Sequence, residues 1–165
     1  MAPIVGKQFK DFTMTSAEDG SRRKLSSMAG KGTSVVILVV ANDFASECVP
    51  FLQALEDFAL AKPEVRCIVL NNADDAATAQ DLLGDQDITH CESFTGTLPT
   101  FYGMRAGVYP FHIVINSAGG IVAASEDTVD LSSFFGSDKI TPVDPRDSKA
   151  VTGGSRAEED GDEDE

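Results

Sequence analysis

The segment Ala41-Asn42-Asp43-Phe44-Ala45-Ser46-Glu47-Cys48-Val49-Pro50 places a thiol, a hydroxyl and two carboxylates between an apolar run and an amphipathic one. A cysteine at the start of a helix is a candidate nucleophile. The unpaired N–H groups of the first turn and the positive end of the helix dipole favour thiolate over thiol. With Ser46 as the N-cap and Pro50 in the first turn, where its missing N–H costs little, Cys48 falls among those donors. Asp43 and Glu47 oppose ionisation, and no Lys, Arg or His lies within ten residues of Cys48 on either side. Either a cation reaches Cys48 from elsewhere in the fold, or Cys48 is a small apolar residue at a helix start.

The remaining cysteines are Cys67 and Cys91. Cys67 opens the apolar run Cys67-Ile68-Val69-Leu70 and reads as inert strand core. Three cysteines with no C-x-x-C pair and no zinc-type spacing supply neither a disulfide framework nor a metal site. His90 and Cys91 are adjacent, so on an extended segment they point to opposite faces and cannot clasp one ion. His112 sits in an apolar run and reads as a core or strand-edge histidine. Neither Gly153-Gly154 nor Ala118-Gly119-Gly120 opens a helix in the pattern of a phosphate-binding loop. No metal and no cofactor is expected.

The elements that must position Cys48 alternate short apolar runs with helical periodicity, the pattern of an α/β sheet with crossover helices. Val35-Val36-Ile37-Leu38-Val39-Val40 is apolar on both faces and β-branched, as a central parallel strand must be. Phe51, Leu52, Leu55, Phe58 and Ala59 recur at helical spacing until Pro63. Cys67–Leu70 forms a second buried strand. Ala76 to Leu83 reads as a short helix stopped by Gly84, and Ile88 to Cys91 as a brief strand or extended turn. Phe111–Ile115 and Gly120–Ala124 flank Asn116-Ser117-Ala118-Gly119, a connection short enough to force an antiparallel hairpin. A last amphipathic stretch, Val129 to Phe135, can cap one sheet face, and a lead of extended pieces and turns precedes everything.

Charge narrows the function. The chain of 165 residues holds 13 Lys+Arg against 27 Asp+Glu, a formal charge of −14, which argues against sequence-independent binding to nucleic acid or anionic lipid. The length suits one domain, residues 1–143, followed by an acidic tail, 144–165, that carries 9 of the acids and too few apolar residues to fold. The longest apolar run is far too short to span a bilayer, and the N-terminus lacks the order of a signal peptide, so a cytoplasmic location is expected.

Residues 3 to 135 resemble the thioredoxin-fold redoxins, in particular the peroxiredoxin branch that includes the bacterial thiol peroxidases. Gly6, Phe9, Asp11-Phe12-Thr13, Asp19-Gly20, Leu25-Ser26 and Gly30-Lys31 resemble the lead-in of that branch, and Asp43-Phe44-Ala45-Ser46-Glu47-Cys48 resembles its Asp-Phe-Thr-x-x-Cys. Tyr109-Pro110-Phe111 through Val122 is similar to the hairpin that redoxins share. The resemblance implies a thioredoxin-like α/β fold, with a central mixed sheet flanked by helices. It also implies Cys48 as a peroxidatic thiol that attacks a peroxide and becomes a sulfenic acid. The expected partners are a peroxide substrate and a thiol reductant such as thioredoxin, and the assembly left open includes a homodimer.

The departures from that branch are specific. Its motif is Pro-x-x-x-Thr-x-x-Cys, and this chain has Ala41 for the Pro and Ala45 for the Thr. Ser46 is the candidate substitute hydroxyl, or simply a helix cap. Where the branch has an Arg at the start of the hairpin strand stands Pro110, similar to the cis-proline of thioredoxin-like disulfide reductases; a cis Tyr109-Pro110 bond facing the thiol is the expectation. Arg105, just before the hairpin, is the candidate thiolate partner, or an exposed loop charge. The resolving cysteine of the thiol peroxidases corresponds to Leu82 or Leu83, which leaves Cys91 as the candidate resolving thiol, or a one-cysteine cycle with an external thiol. In a C-x-x-C reductase the first cysteine would fall at Ala45. The competing functions are therefore a catalytically degenerate thioredoxin-fold interaction module, with the acidic tail in its interface, and a monothiol disulfide oxidoreductase.

Overall fold

The computed structural model describes residues 4–72, 75–105, 107–126 and 130–135, and the chain divides into two units, Met1–Val129 and Asp130–Glu165. In the first unit the order is β1 (Thr13–Ser16), β2 (Arg22–Lys24), β3 (Val35–Val40), α1 (Ala45–Ala61), β4 (Arg66–Asn72), α2 (Ala76–Asp85), β5 (Glu92–Gly96), β6 (Phe111–Ile115) and β7 (Ile121–Ser125). The strands form one seven-stranded sheet in the order β2-β1-β5-β4-β3-β6-β7. β3, β4 and β5 run parallel, and β6, β7, β1 and β2 pair antiparallel. This is the mixed sheet expected from the sequence.

β3 lies inside the sheet between β4 and β6 with every one of its residues buried, so neither face can meet water. Removing a side chain of this size from water stabilises by about 2 kcal/mol, so the strand contributes heavily to the core. Its two crossovers, through α1 to β4 and through α2 to β5, step in the same direction across the sheet. Since such crossovers are right-handed, both helices must lie on one face. They cover the face to which Val36, Leu38, Val40, Cys67 and Val69 point, with Leu52 and Leu55 of α1 and Leu82 and Leu83 of α2 turned inward. The other face, carrying Val35, Ile37, Val39, Ile68, Leu70 and Phe94, packs against Ile4, Leu25 and Met28 of the N-terminal lead and against Tyr102. The Tyr102 hydroxyl bonds to both the N–H and the carbonyl of Lys10, which fastens the lead to that face.

The lead also pairs with the far hairpin. Gly6 N–H donates to the Ile121 carbonyl at 2.8 Å, Ile121 N–H to Lys7 at 2.8 Å, and Phe9 N–H to Gly119 at 2.9 Å. Gly119 is required there: its φ is +94°, and a Cβ would lie 2.3 Å from Nε2 of Gln8. Asn116 Oδ1 accepts from the N–H groups of Ala118 and Gly120, closing the expected turn.

Several boundaries differ from the sequence reading, for identifiable reasons. The polar Thr13–Ser16 and Arg22–Lys24 become strands because β5 leaves an edge on which Thr15 and Ser16 pair. β5 starts at Glu92 rather than within Ile88–Cys91, because its register is set by β4, with Ile68 opposite Glu92. α2 continues through Gly84 to Asp85, and the turn beyond it contains Asp87, whose φ is +55°. Its start is capped by Asp75, which accepts from Thr78 N–H at 2.8 Å. In the second unit a short helix, α3 (Ser132–Phe135), forms, with Ser133 Oγ donating to the Asp130 carbonyl. Val129 and the segment 144–165 lie outside the described residues.

One partly buried carboxylate joins α1 to the approach to β5. Glu56 accepts from Thr89 N–H (3.1 Å), Thr89 Oγ1 (3.0 Å), His90 N–H (2.8 Å) and His90 Nδ1 (2.6 Å). Burial by itself raises the pKa of Glu56, but the hydrogen bonds from His90 and Thr89 outweigh it and hold the carboxyl at about 2 against an ordinary 4.5. Between those values the unfolded chain binds the extra proton, so the stabilisation is complete above about pH 5 and is lost as pH falls toward 2. Glu56→Gln is expected to lower stability at pH 7 by about 1–2 kcal/mol, the half-exposed His90 being screened by solvent. Urea denaturation at a series of pH values should show the gap between variant and parent closing from pH 5 downward. A gap that stays constant overturns this account.

Candidate functional site

The carboxyl end of β3 is where an open α/β sheet gathers reactive groups, and the connection to α1 is made there. Ala41 leads into a tight turn, Asn42–Phe44, in which Phe44 N–H donates to the Ala41 carbonyl at 3.0 Å and Ala45 N–H to Asn42. That turn runs directly into α1, so the helix begins at Ala45 with Phe44 as its N-cap. Ser46 is therefore not the cap expected from the sequence. It is the second helical residue, exposed, with its hydroxyl donating to Glu47 Oε1 at 2.9 Å. Pro50 is also deeper than expected, inside the helix, where its missing N–H leaves the Ser46 carbonyl without its intrahelical donor.

Cys48 is the fourth residue of α1 and turns inward, fully buried, in line with Leu52, Leu55 and Ala59. Burial is the main influence on its thiol and pushes the pKa above the ordinary value; the Glu47 charge pushes the same way, while a backbone hydrogen bond with Ala41 opposes both. The site therefore holds a protonated thiol at neutral pH.

Two aromatic pairs close over this turn of the helix. The rings of Phe44 and Tyr109 lie 5.1 Å apart between centroids, and those of Phe51 and His112 lie 5.5 Å apart in a T-shaped arrangement. Tyr109 is held from its other end, where its hydroxyl accepts from Asn72 Nδ2 at 2.8 Å; Asn72 Oδ1 in turn accepts from Leu98 N–H at 3.0 Å. The Tyr109-Pro110 bond is cis, as expected. Because Val39 pairs with Phe111, the next positions along β3, Val40 and Ala41, lie across from Pro110 and Tyr109. The cis-proline and Cys48 thus share the carboxyl end of β3. Sequence reading missed Phe44, Asn72 and Tyr109 as walls of the site. The signal for Asn72 was an amide at the end of a buried strand.

Arg105 makes a two-pronged ion pair with Glu126, Nε to Oε2 at 3.0 Å together with Nη2 to Oε1, and is mostly exposed. That pair is where the structure places the candidate thiolate partner. Cys91 is at the other end of the sheet. Val36 pairs with Cys67, and Cys91 precedes β5 at the same level, whereas Cys48 bonds to Ala41. Five residues of strand separate those levels, about 16 Å, against the roughly 7 Å limit between the Cα atoms of a disulfide. The arrangement does not bring Cys91 to Cys48. His112 is buried in β6 against Phe51. Among the described residues no group of three or more His, Cys, Asp or Glu could hold a metal ion, and no helix is long and apolar enough to cross a membrane.

No family model and no curated protein matches the chain. Solved structures do. A thiol peroxidase from Chromobacterium violaceum is 16% identical, covers 81% of this chain and 84% of its own, and superposes with a TM-score of 0.61. A secreted disulfide oxidoreductase of Mycobacterium tuberculosis, homologous to E. coli DsbE, is 16% identical over 71% of this chain and 84% of its own, with a TM-score of 0.56. The exposed lipoprotein thioredoxin of Streptococcus pneumoniae is 20% identical over 73% and 92%, with a TM-score of 0.55. The fold is thioredoxin-like.

In the native chain at pH 7 to 8, Ellman's reagent is expected to react with Cys48 more slowly than in urea, because burial both withholds the sulfur and lowers its thiolate fraction. Glu47→Gln should recover part of that rate. A native rate equal to the unfolded one contradicts the buried, protonated thiol.

Proposed function

We propose that this chain is a thioredoxin-like thiol module that has kept the frame of a disulfide oxidoreductase and lost its turnover, acting by binding rather than by catalysis. The observation that carries this reading is the division of roles along the first turn of α1. The less buried first position holds Ala45, and the thiol occupies the fully buried fourth position. Disulfide exchange begins with a thiolate that can reach the substrate sulfur, and a methyl group at position 45 cannot supply one. Cys48 corresponds to the inner cysteine of a C-x-x-C pair, which acts only after the outer one has formed a mixed disulfide.

The peroxidase reading receives less support from the same geometry. Peroxide reduction needs an ionised sulfur, a hydroxyl on the peroxide and a cation for the departing oxygen. The Ser46 hydroxyl is spent on Glu47, Arg105 is engaged with Glu126, and burial holds the Cys48 thiol protonated. Pro110 stands where the peroxidatic branch carries its arginine, which favours the oxidoreductase-type frame over the peroxidatic one.

The test is a gain of function. The parent chain is expected to give no Cys48-dependent consumption of hydrogen peroxide and no acceleration of insulin disulfide reduction by dithiothreitol. Ala45→Cys, which supplies the outer thiol, should accelerate insulin reduction, and Cys48→Ser in that background should remove the gain. Peroxide turnover by the parent that Cys48→Ser abolishes would establish the peroxidase reading instead. A trapped mixed disulfide through Cys48 of the parent would establish monothiol exchange.

A further inference from the structure

The two thiols remote from the site lie on one another's doorstep. β4 and β5 are parallel with Ile68 opposite Glu92, so one step back Cys67, in β4, stands beside Cys91, on the bend that leads into β5. Parallel neighbours are about 4.8 Å apart, within the 4.4–6.8 Å that disulfide Cα atoms require. Both residues project to the face covered by α1 and α2, and both are free thiols. Cys91 Sγ donates to Glu56 Oε1 at 3.8 Å and Cys67 Sγ to the Val65 carbonyl at 3.9 Å, and the two thiols are near enough that Cys67 acts on the ionisation of Cys91.

We propose that Cys67 and Cys91 form a latent dithiol which a low-molecular-weight disulfide, such as glutathione disulfide, closes into a bridge between β4 and β5. Cys91 reacts first. It sits on the bend before β5 rather than inside a strand, and it is 8% exposed against 3% for Cys67. Its thiolate attacks one sulfur of glutathione disulfide, which forms a mixed disulfide and releases one glutathione as thiolate. The Cys67 thiolate then attacks the Cys91 sulfur and displaces the second glutathione. Two protein S–H bonds and one S–S bond are lost, one protein S–S bond and two glutathione S–H bonds are gained, and the two electrons pass to the glutathione.

The surroundings set the rate. Burial, then the nearby Cys67 and Glu56, push the Cys91 thiol up, and burial with Glu92 and Glu56 pushes Cys67 up to about 12. Both groups rest as thiols, so closure is slow and responds to sustained oxidation rather than to a brief pulse. The bridge would close a loop containing the whole of α2 and would free Glu56 from Cys91 without removing its bonds to Thr89 and His90.

The full-length chain is incubated with excess glutathione disulfide, its remaining thiols are blocked after acid quenching, and it is digested without reduction. The expected product is a Cys67–Cys91 linked peptide pair, lighter by two hydrogens than the separate peptides, with Cys48 recovered as a blocked thiol. The bridge should form equally in Cys48→Ala, which separates this result from any outcome at the Cys48 site; the map of the parent decides alone if that variant fails to fold. Recovery of Cys91 carrying glutathione beside a free Cys67, a bridge to Cys48, or both cysteines as unreacted thiols overturns the proposal.

Discussion

The arrangement of this protein follows from one strand that cannot touch water on either side. Val35–Val40 is wholly buried, so both of its faces must be covered by something else in the chain. The crossovers after β3 and β4 put α1 and α2 on one face. The other face is left to the N-terminal lead, which is held down through Leu25, Met28 and the bonds between Lys10 and Tyr102. Cys48 inherits its environment from this constraint. It lies where α1 first presses on the sheet, and the depth that makes the helix pack makes the sulfur inaccessible.

Within a single helical turn the same backbone offers two chemically different positions. Ala45 and Cys48 are separated by three residues, close enough to be neighbours on the helix surface. One lies at the rim, and the other reaches the level of Leu52 and Leu55. The exposure of a thiol at this site is thus a matter of which position carries sulfur, within a frame made by Phe44, Tyr109 and Asn72.

The apolar skeleton could be read from sequence because burial leaves a strong pattern: β3, β4, the body of α1 and the hairpin of β6 and β7 all follow runs of apolar residues. The edge strands β1 and β2 could not, since Thr13–Ser16 and Arg22–Lys24 become strands only through pairing partners far along the chain. The cis bond at Tyr109-Pro110 was legible through family resemblance, whereas the placement of Ser46 and Pro50 was not. A serine two residues before a cysteine looks like a cap, and only the hydrogen-bonded turn Asn42–Phe44 shows that the helix has already begun. The pairing of Arg105 with Glu126 and the distance between Cys48 and Cys91 are properties of the fold that no local pattern contains.

The sheet ends in two edges that are guarded by different means. At β2 the guard is charge: Arg22, Arg23 and Lys24 make a cationic border on a chain of strongly negative overall charge, and a second copy pairing there would bring like charges together. At β7 the guard is covalent continuity. The backbone of Gly6 and Lys7 already occupies the hydrogen-bonding groups of Ile121, and Gln8 bridges to Gly120. The lead thus shields the start of the β7 edge against strand-to-strand association, and without that pairing the backbone groups of Ile121 would be open to another strand.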